Sequence, residues 1–164
     1  MSLTGKSILI TGASGFIGQA YVARFLQLGA TVCAQVNTGE IPAHHNLTVI
    51  ATDLSVARSG NSLVQEALSR TGKLDFVINN AANQAVLDPS HATRAEIEQM
   101  MRINVDAPKE IIDESAKSGV SVVLNISSYI LSEIITRSLY LPLFRYIVKY
   151  FAISAMVEDM PPEP

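Results

Sequence analysis

The chain has 164 residues, of which 48% are hydrophobic and 16% charged, so its composition is that of a globular domain with its own core and excludes a disordered chain. Its net charge of -3 comes from mixed acids and bases, which excludes the basic surface of a nucleic-acid-binding protein. The most apolar stretch, residues 129–156, is interrupted by charged residues such as Glu133 and Arg145, so we expect no membrane span.

The first predicted element is a short buried strand at residues 7–10, followed by a glycine-rich turn and a helix with apolar periodicity from Phe16. Glycines recur at Gly12, Gly15 and Gly18, and a strand, turn and helix in this order are the context that a dinucleotide fingerprint requires. Gly12 would allow the tight turn, Gly15 the approach of a pyrophosphate, and Gly18 the close packing of helix on strand. The N–H groups that begin the helix would then meet the phosphates. The alternative is a turn that serves packing alone.

Four more strands are predicted from short apolar runs, with helices between them. The strands are residues 31–36, 47–51, 74–78 and 120–126. The helices are residues 61–70, a long segment from the N-cap Thr93 to Lys117, and a last helix from Pro142 to about residue 158. Pro108 is expected to kink the long helix or to start a second segment within it.

The alternation of strands and helices predicts an α/β fold, a doubly wound parallel sheet of Rossmann-like order 3-2-1-4-5 in three α/β/α layers. Residues 1–164 would form a single dinucleotide-binding domain. Ligands of such sheets bind beyond the carboxyl ends of the strands. Gly12, Asp53, Asn79 and Ser128 all fall at such ends, which predicts a site at this edge of the sheet.

Five motifs, taken together and in this order, resemble the short-chain dehydrogenase/reductase family of NAD(P)-binding Rossmann-fold proteins. They are TGASGFIG at 11–18, Asp53-Leu54, NNAA at 79–82, Asn104 within RINVDAP, and NISS at 125–128. The resemblance covers residues 6–128. The C-terminal strands of the family are not expected in this sequence, which would then be a fragment of a longer chain, a chain whose sheet edge a partner covers, or a protein that has lost catalysis. The resemblance implies a nicotinamide cofactor, NAD or NADP.

The resemblance also implies roles for individual residues. The glycines would hold the pyrophosphate, Asp53 would accept a hydrogen bond from the adenine amino group, and Leu54 would supply a backbone N–H. Asn104 would hold a helix bend and a water of the proton relay, and Ser128 would bind the substrate oxygen. The residues expected to bind the cofactor are Gly12, Ser14, Gly15, Phe16, Ile17, Gly18, Asn37, Asp53, Leu54, Asn79 and Ala81.

Each of these roles has a purely structural alternative. Asp53 could cap the following turn, Asn79 could be an ordinary residue of a strand end, and Asn104 could face solvent on its helix. Ser128 could cap backbone groups. These alternatives stay open at the level of sequence.

The cofactor and the branch of the family also stay open. The end of the second strand reads Val36-Asn37-Thr38, with neither the acid that selects NAD nor a base for the 2′-phosphate of NADP. The glycine spacing TGxxGxxG resembles the extended branch of sugar-nucleotide epimerases and dehydratases, whereas NNAA resembles the oxidoreductase branch.

Catalysis in the family needs a tyrosine and a lysine four residues apart on one helix, and no such pair is present in this sequence. Tyr146 and Lys149 come nearest, three residues apart, which still places them on roughly one helical face. The tyrosine would exchange a proton with the substrate oxygen, and the lysine would lower its pKa. The alternative is a surface pair on an apolar helix.

The expected function is therefore carbonyl–alcohol interconversion on a small-molecule substrate with NAD or NADP, with Ser128, Tyr146, Lys149 and Asn104 as catalytic residues. The alternatives are an extended-branch epimerase or dehydratase, or a dinucleotide-binding sensor or assembly subunit without catalysis. The apolar last helix is expected to pack against a second subunit in a homo-oligomer such as a dimer. Since Cys33 is the single cysteine, no internal disulfide can form, which fits a cytoplasmic location. The pair His44-His45 has no third ligand nearby, so no metal site is expected.

Overall fold

The computed structural model describes residues 2–83 and 92–126 and contains a five-stranded sheet in the order β3-β2-β1-β4-β5. The strands are β1 Ser7–Ile10, β2 Thr31–Val36, β3 Leu47–Ala51, β4 Phe76–Asn79 and β5 Val122–Asn125. The helices are α1 Phe16–Gln27, α2 Ser59–Thr71, α3 Arg94–Met101 and α4 Ala107–Lys117, with the π-helical segment Arg102–Asp106 between the last two. The chain divides into two compact units, Met1–Val123 and Leu124–Pro164, and the candidate site described below lies in the first.

The central strands pair in parallel, which confirms the predicted topology. Ser7 pairs with Thr31, and Ile8 pairs with both Val32 and Phe76. Alternate residues of one strand go to opposite faces, and both faces are covered. Leu9 packs in a cluster with α2 and α4, while its neighbours Ile8 and Ile10 are almost completely buried outside that cluster. Continuous apolar strands are the expected result of a sheet covered on both faces.

The first three strands have the predicted bounds, but β4 and β5 each begin two residues later than predicted. Asp75 stands before β4 because its carboxylate, and not a main-chain oxygen of this segment, accepts the Ser7 N–H at 2.9 Å. Its own N–H donates to the carbonyl oxygen of Ser7 at 2.9 Å. Val120 stands before β5 because its N–H donates to the carbonyl oxygen of Ser115 and closes the end of α4, with Gly119 at a φ of 72°.

The long predicted helix is two helices joined by the π-helical segment. Thr93 and Glu96 form the predicted capping box at the start of α3. Pro108 lies in the first turn of α4, directly after the π-helical segment, so it belongs to the start of a second segment.

Cys33 is completely buried on β2, as predicted, and burial raises the pKa of its thiol to about 11. In the described ranges 2–83 and 92–126, the helices are all too short or too polar to span a bilayer. The predicted last helix lies outside the described residues, as do Ser128, Tyr146 and Lys149.

Candidate functional site

The turn after β1 is built around Gly12, which has a φ of 62°. A side chain is strained in this left-handed conformation, and a Cβ on Gly12 would also lie 2.8 Å from the Cα of Ala81. The glycine turn therefore lies directly against the NNAA segment that follows β4. Two motifs that are far apart in sequence meet at one edge of the sheet.

The other two glycines of the motif have different surroundings. A Cβ on Gly18 would lie 2.2 Å from the carbonyl oxygen of Gly12, so no side chain fits where α1 packs on the turn. A Cβ on Gly15 would meet only the carbonyl oxygen of Gly12, at 3.3 Å, and Gly15 is exposed. Gly18 thus serves packing, and Gly15 leaves the outer side of the turn open.

The start of α1 is bare and uncharged. Gly15 is its N-cap, no side chain caps it, and its first turn contains no acidic residue. Gln19 is the first residue of α1 whose N–H has a backbone acceptor, the carbonyl oxygen of Gly15 at 2.9 Å. Within the described part of the chain the N–H groups of Phe16 and Ile17 have no such acceptor, and both side chains are exposed. A helix end of this kind can bind a phosphate or diphosphate.

Gln35 of β2 hydrogen-bonds to the glycine turn through both its main chain and its side chain. Its main-chain oxygen accepts the N–H of Ala13 at 2.9 Å, and its side-chain oxygen accepts the N–H of Gly12 at 2.8 Å. The amide nitrogen donates to the carbonyl oxygen of Thr52 at 2.7 Å. Gln35 is not among the site residues predicted from the sequence, although a polar residue inside an apolar strand is a signal that a specific partner exists.

Thr11 and Asn80 join the glycine turn to the end of β4. The Thr11 hydroxyl oxygen accepts the N–H groups of Asn80 and Ala81, both at 2.9 Å. The side-chain nitrogen of Asn80 donates to the carbonyl oxygens of Thr11 and Gly12 at 3.0 and 3.2 Å. The predicted site residue Asn79 is buried as the last residue of β4, while its neighbour Asn80 makes these bonds.

Asp53 follows β3 and is exposed. One carboxylate oxygen accepts the N–H of Ser55 at 2.8 Å, and hydrogen bonds from Ser55 lower the pKa of this carboxyl. Asp53 therefore does cap the following turn, and it stays ionised at neutral pH. Leu54 beside it is buried in the core. The exposed carboxylate remains accessible to a ligand at this edge of the sheet.

Asn37 is exposed directly after β2. Two residues later, a Cβ on Gly39 would lie 2.4 Å from the side-chain oxygen of Ser14. The loop that follows β2 therefore lies against the glycine turn, and the structure brings Ser14 and Asn37 to the same edge.

Asn104 lies at the centre of the π-helical segment and is half-buried. Its side chain bonds to the backbone of Asn83 through both of its polar atoms. It is therefore engaged in the structure and is not free on a helix surface. π-Helical turns within helices are frequent at functional sites.

Comparison with known proteins gives a consistent picture. The family model described as short chain dehydrogenase matches residues 6–139. A short chain dehydrogenase/reductase named dpchG from Colletotrichum higginsianum is 29% identical over 142 residues, which are 77% of this chain and 53% of that protein. A sorbitol dehydrogenase from Cereibacter sphaeroides is 30% identical over 130 residues, 74% of this chain and 50% of that protein. The chain thus spans about half the length of these curated relatives.

Solved structures agree on the fold. A short-chain dehydrogenase/reductase from Brucella melitensis superposes with a TM-score of 0.80 at 18% identity and covers 98% of this chain and 73% of that one. A blue fluorescent protein from a metagenomic library, solved in complex with NADPH, superposes with a TM-score of 0.74 at 24% identity and covers 92% of this chain and 67% of that one.

Proposed function

This chain belongs to the short-chain dehydrogenase/reductase family, and from that membership we propose that it interconverts a carbonyl and an alcohol by hydride transfer with NAD or NADP. The observation that carries the proposal is the bare start of α1 beside the glycine turn. This cradle is uncharged, has no side-chain cap, and is kept open by Gly15. A diphosphate is the chemical group that fits it.

The residues around the cradle fit the rest of a dinucleotide. The N–H groups of Phe16 and Ile17 would bind the diphosphate, and Asn37 would bind the adenosine ribose. Asp53 would accept from the adenine amino group. The nicotinamide, when bound, supplies or accepts the hydride.

The chain's own residues would bind the substrate oxygen and transfer its proton. Ser128 would orient the oxygen, Tyr146 would exchange the proton with it, and Lys149 would keep the pKa of the tyrosine low enough for this exchange. Asn104 would hold a water that carries the proton onward. The substrate would be a small molecule, and the last helix would join two copies of the chain. We also propose a cytoplasmic location.

A second candidate is a dinucleotide-binding protein without catalysis, a sensor or an assembly subunit. The observation that favours it is the absence from the sequence of a tyrosine four residues before a lysine. The glycine spacing in turn favours an extended-branch epimerase or dehydratase among the catalytic alternatives.

Two measurements separate these candidates. Calorimetry with NAD(H) and NADP(H) tests the cradle, and a screen of carbonyl and alcohol substrates that follows the oxidation state of the nicotinamide tests turnover. Binding with turnover is the expected result. Binding without net oxidation or reduction of the nicotinamide favours the non-catalytic candidate or an epimerase or dehydratase, which returns its cofactor to the starting oxidation state. No binding of either cofactor overturns the proposal.

A further inference from the structure

Gln35 is a polar side chain in the middle of the molecule. It is 2% exposed, on a strand where its neighbours Ala34 and Val36 are buried and apolar. An amide buried without hydrogen bonds costs about 1–3 kcal/mol, so such a residue persists only where both of its polar atoms are used. For packing alone, an apolar side chain would serve at this position as well as the apolar residues elsewhere on β2 do.

Both polar atoms of the Gln35 side chain are used, and their partners fix its orientation. The N–H of Gly12 can only donate and the carbonyl oxygen of Thr52 can only accept, so a flipped amide would lose both bonds. Thr52 therefore orients the amide, and the amide in turn presents its oxygen to Gly12. The main-chain oxygen of the same residue holds the N–H of Ala13.

The consequence is a fixed direction for the peptide groups of the turn. With the N–H groups of Gly12 and Ala13 directed to Gln35, the carbonyl oxygen of Gly12 accepts the N–H of Gly15 at 3.1 Å. Gly15 is the N-cap of α1, directly before its first residue. Through Gly12, Gln35 thus fixes the position of the N–H groups at the start of α1 that have no backbone acceptor among the described residues.

We propose that Gln35 is a positioning residue of the dinucleotide site, which holds the glycine turn in the conformation that receives the diphosphate. The inference rests on the proposed function, because it assigns the diphosphate to this turn. It predicts that loss of the Gln35 amide lowers the affinity for ligands that contain the diphosphate. The affinity for adenosine should stay nearly unchanged, because Asp53 keeps its own bond to Ser55.

The test compares Gln35→Met, which keeps the length of the side chain without its hydrogen bonds, with Cys33→Ala, which removes a buried atom from the same strand. Both variants lose some stability, so binding is measured well below their melting temperatures. The probes are ADP-ribose and adenosine. Loss of one well-formed hydrogen bond corresponds to about tenfold in affinity, so ADP-ribose should bind Gln35→Met about tenfold more weakly, adenosine should change less than about threefold, and Cys33→Ala should match the wild type with both.

A second measurement needs no ligand. Hydrogen exchange of the Gly12 amide should be faster in Gln35→Met and unchanged in Cys33→Ala. Wild-type affinity for ADP-ribose in Gln35→Met, or an equal loss for adenosine and ADP-ribose, overturns the positioning role and leaves the proposed function standing. A wild-type chain that does not bind ADP-ribose overturns the proposed function itself.

Discussion

The side chain of Asn104 holds both polar groups of the Asn83 backbone. Its oxygen accepts the Asn83 N–H at 2.7 Å, and its nitrogen donates to the Asn83 carbonyl oxygen at 3.0 Å. Asn83 follows the NNAA segment, which itself lies against Gly12. The π-helical segment is therefore tied to the edge of the sheet where the candidate site lies.

Asn104→Ala should lower the free energy of unfolding by about 1–3 kcal/mol, because its two hydrogen bonds to the Asn83 backbone are lost. Turnover should fall more than cofactor affinity, since the proposed relay water depends on this side chain. Thermal denaturation and steady-state kinetics measure the two effects. Asn61→Ala, which removes one hydrogen bond to Glu114 away from the site, is the control. Equal turnover in both variants contradicts the assignment of Asn104.

Gly15→Ala should lower cofactor affinity, whereas Gly18→Ala should lower stability. A Cβ on Gly18 meets the carbonyl oxygen of Gly12 at 2.2 Å, so Gly18→Ala should cost roughly 3 kcal/mol or more of stability. A Cβ on Gly15 lies 3.3 Å from the same oxygen and needs only a small shift of it. Gly15→Ala should therefore fold but bind NADH more weakly, since the methyl group occupies the approach of the diphosphate. Thermal denaturation and calorimetry of both variants check this, and the proposed cradle is wrong if Gly15→Ala binds NADH normally.

A single substitution at Asn37 should create a preference for NAD over NADP. An acid after β2 binds the ribose hydroxyls of NAD and repels the 2′-phosphate of NADP, so Asn37→Asp should shift the ratio of the two affinities toward NAD by about tenfold or more. Asn46→Asp adds the same charge just before β3, at the opposite end of that strand from the site, and should leave the ratio unchanged. Calorimetric titrations with both cofactors give the ratio. A similar shift in both variants would mean that net charge, and not Asn37, is responsible.

Asp75 should make stability depend on acidic pH. Its hydrogen bond to Lys6, at 2.8 Å, and then its bond to the Ser7 N–H lower its pKa to about 2 in the folded chain. Because this value lies below that of the unfolded chain, the stabilisation is complete above about pH 4 and is lost as the pH falls toward 2. Asp75→Asn should therefore lower stability by about 1–2 kcal/mol at neutral pH and flatten its dependence between pH 4 and 2.

The control for this measurement is Asp113→Asn, which removes the exposed ion pair with Lys109. Exposed pairs contribute little, so this variant should keep the wild-type pH profile. Urea denaturation at several pH values provides the comparison. An unchanged profile in Asp75→Asn would show that other carboxylates dominate the acid response.

Tyr146→Phe tests the proposed acid–base residue. If this hydroxyl exchanges the proton with substrate, its removal should lower turnover by about 100-fold or more and leave NADH affinity nearly intact. Tyr150→Phe, in the same predicted helix, should keep full turnover. Wild-type turnover in Tyr146→Phe removes this residue from the mechanism.

Local patterns predicted the strands and the glycine turn, because burial on both faces and backbone strain leave direct marks on neighbouring residues. The first three strands have the predicted bounds for this reason. A polar Gln35 in an apolar strand indicates that a partner exists, but no local pattern identifies the particular bonds of Gln35 to Thr52, of Asn80 to Thr11 and of Asn104 to Asn83. Each joins residues from different elements, so periodicity within one segment cannot reveal it. The late start of β4 has the same origin, because the side chain of Asp75 bonds to β1.

Because Cys33 is buried, the rate at which its thiol is modified reports how often the structure around it opens. Since the only thiol of the chain is enclosed by the sheet and stays protonated at neutral pH, alkylating reagents should modify the native state extremely slowly. Labelling at this atom then measures how often the centre of the sheet becomes accessible, and mass spectrometry can follow it without any engineered probe.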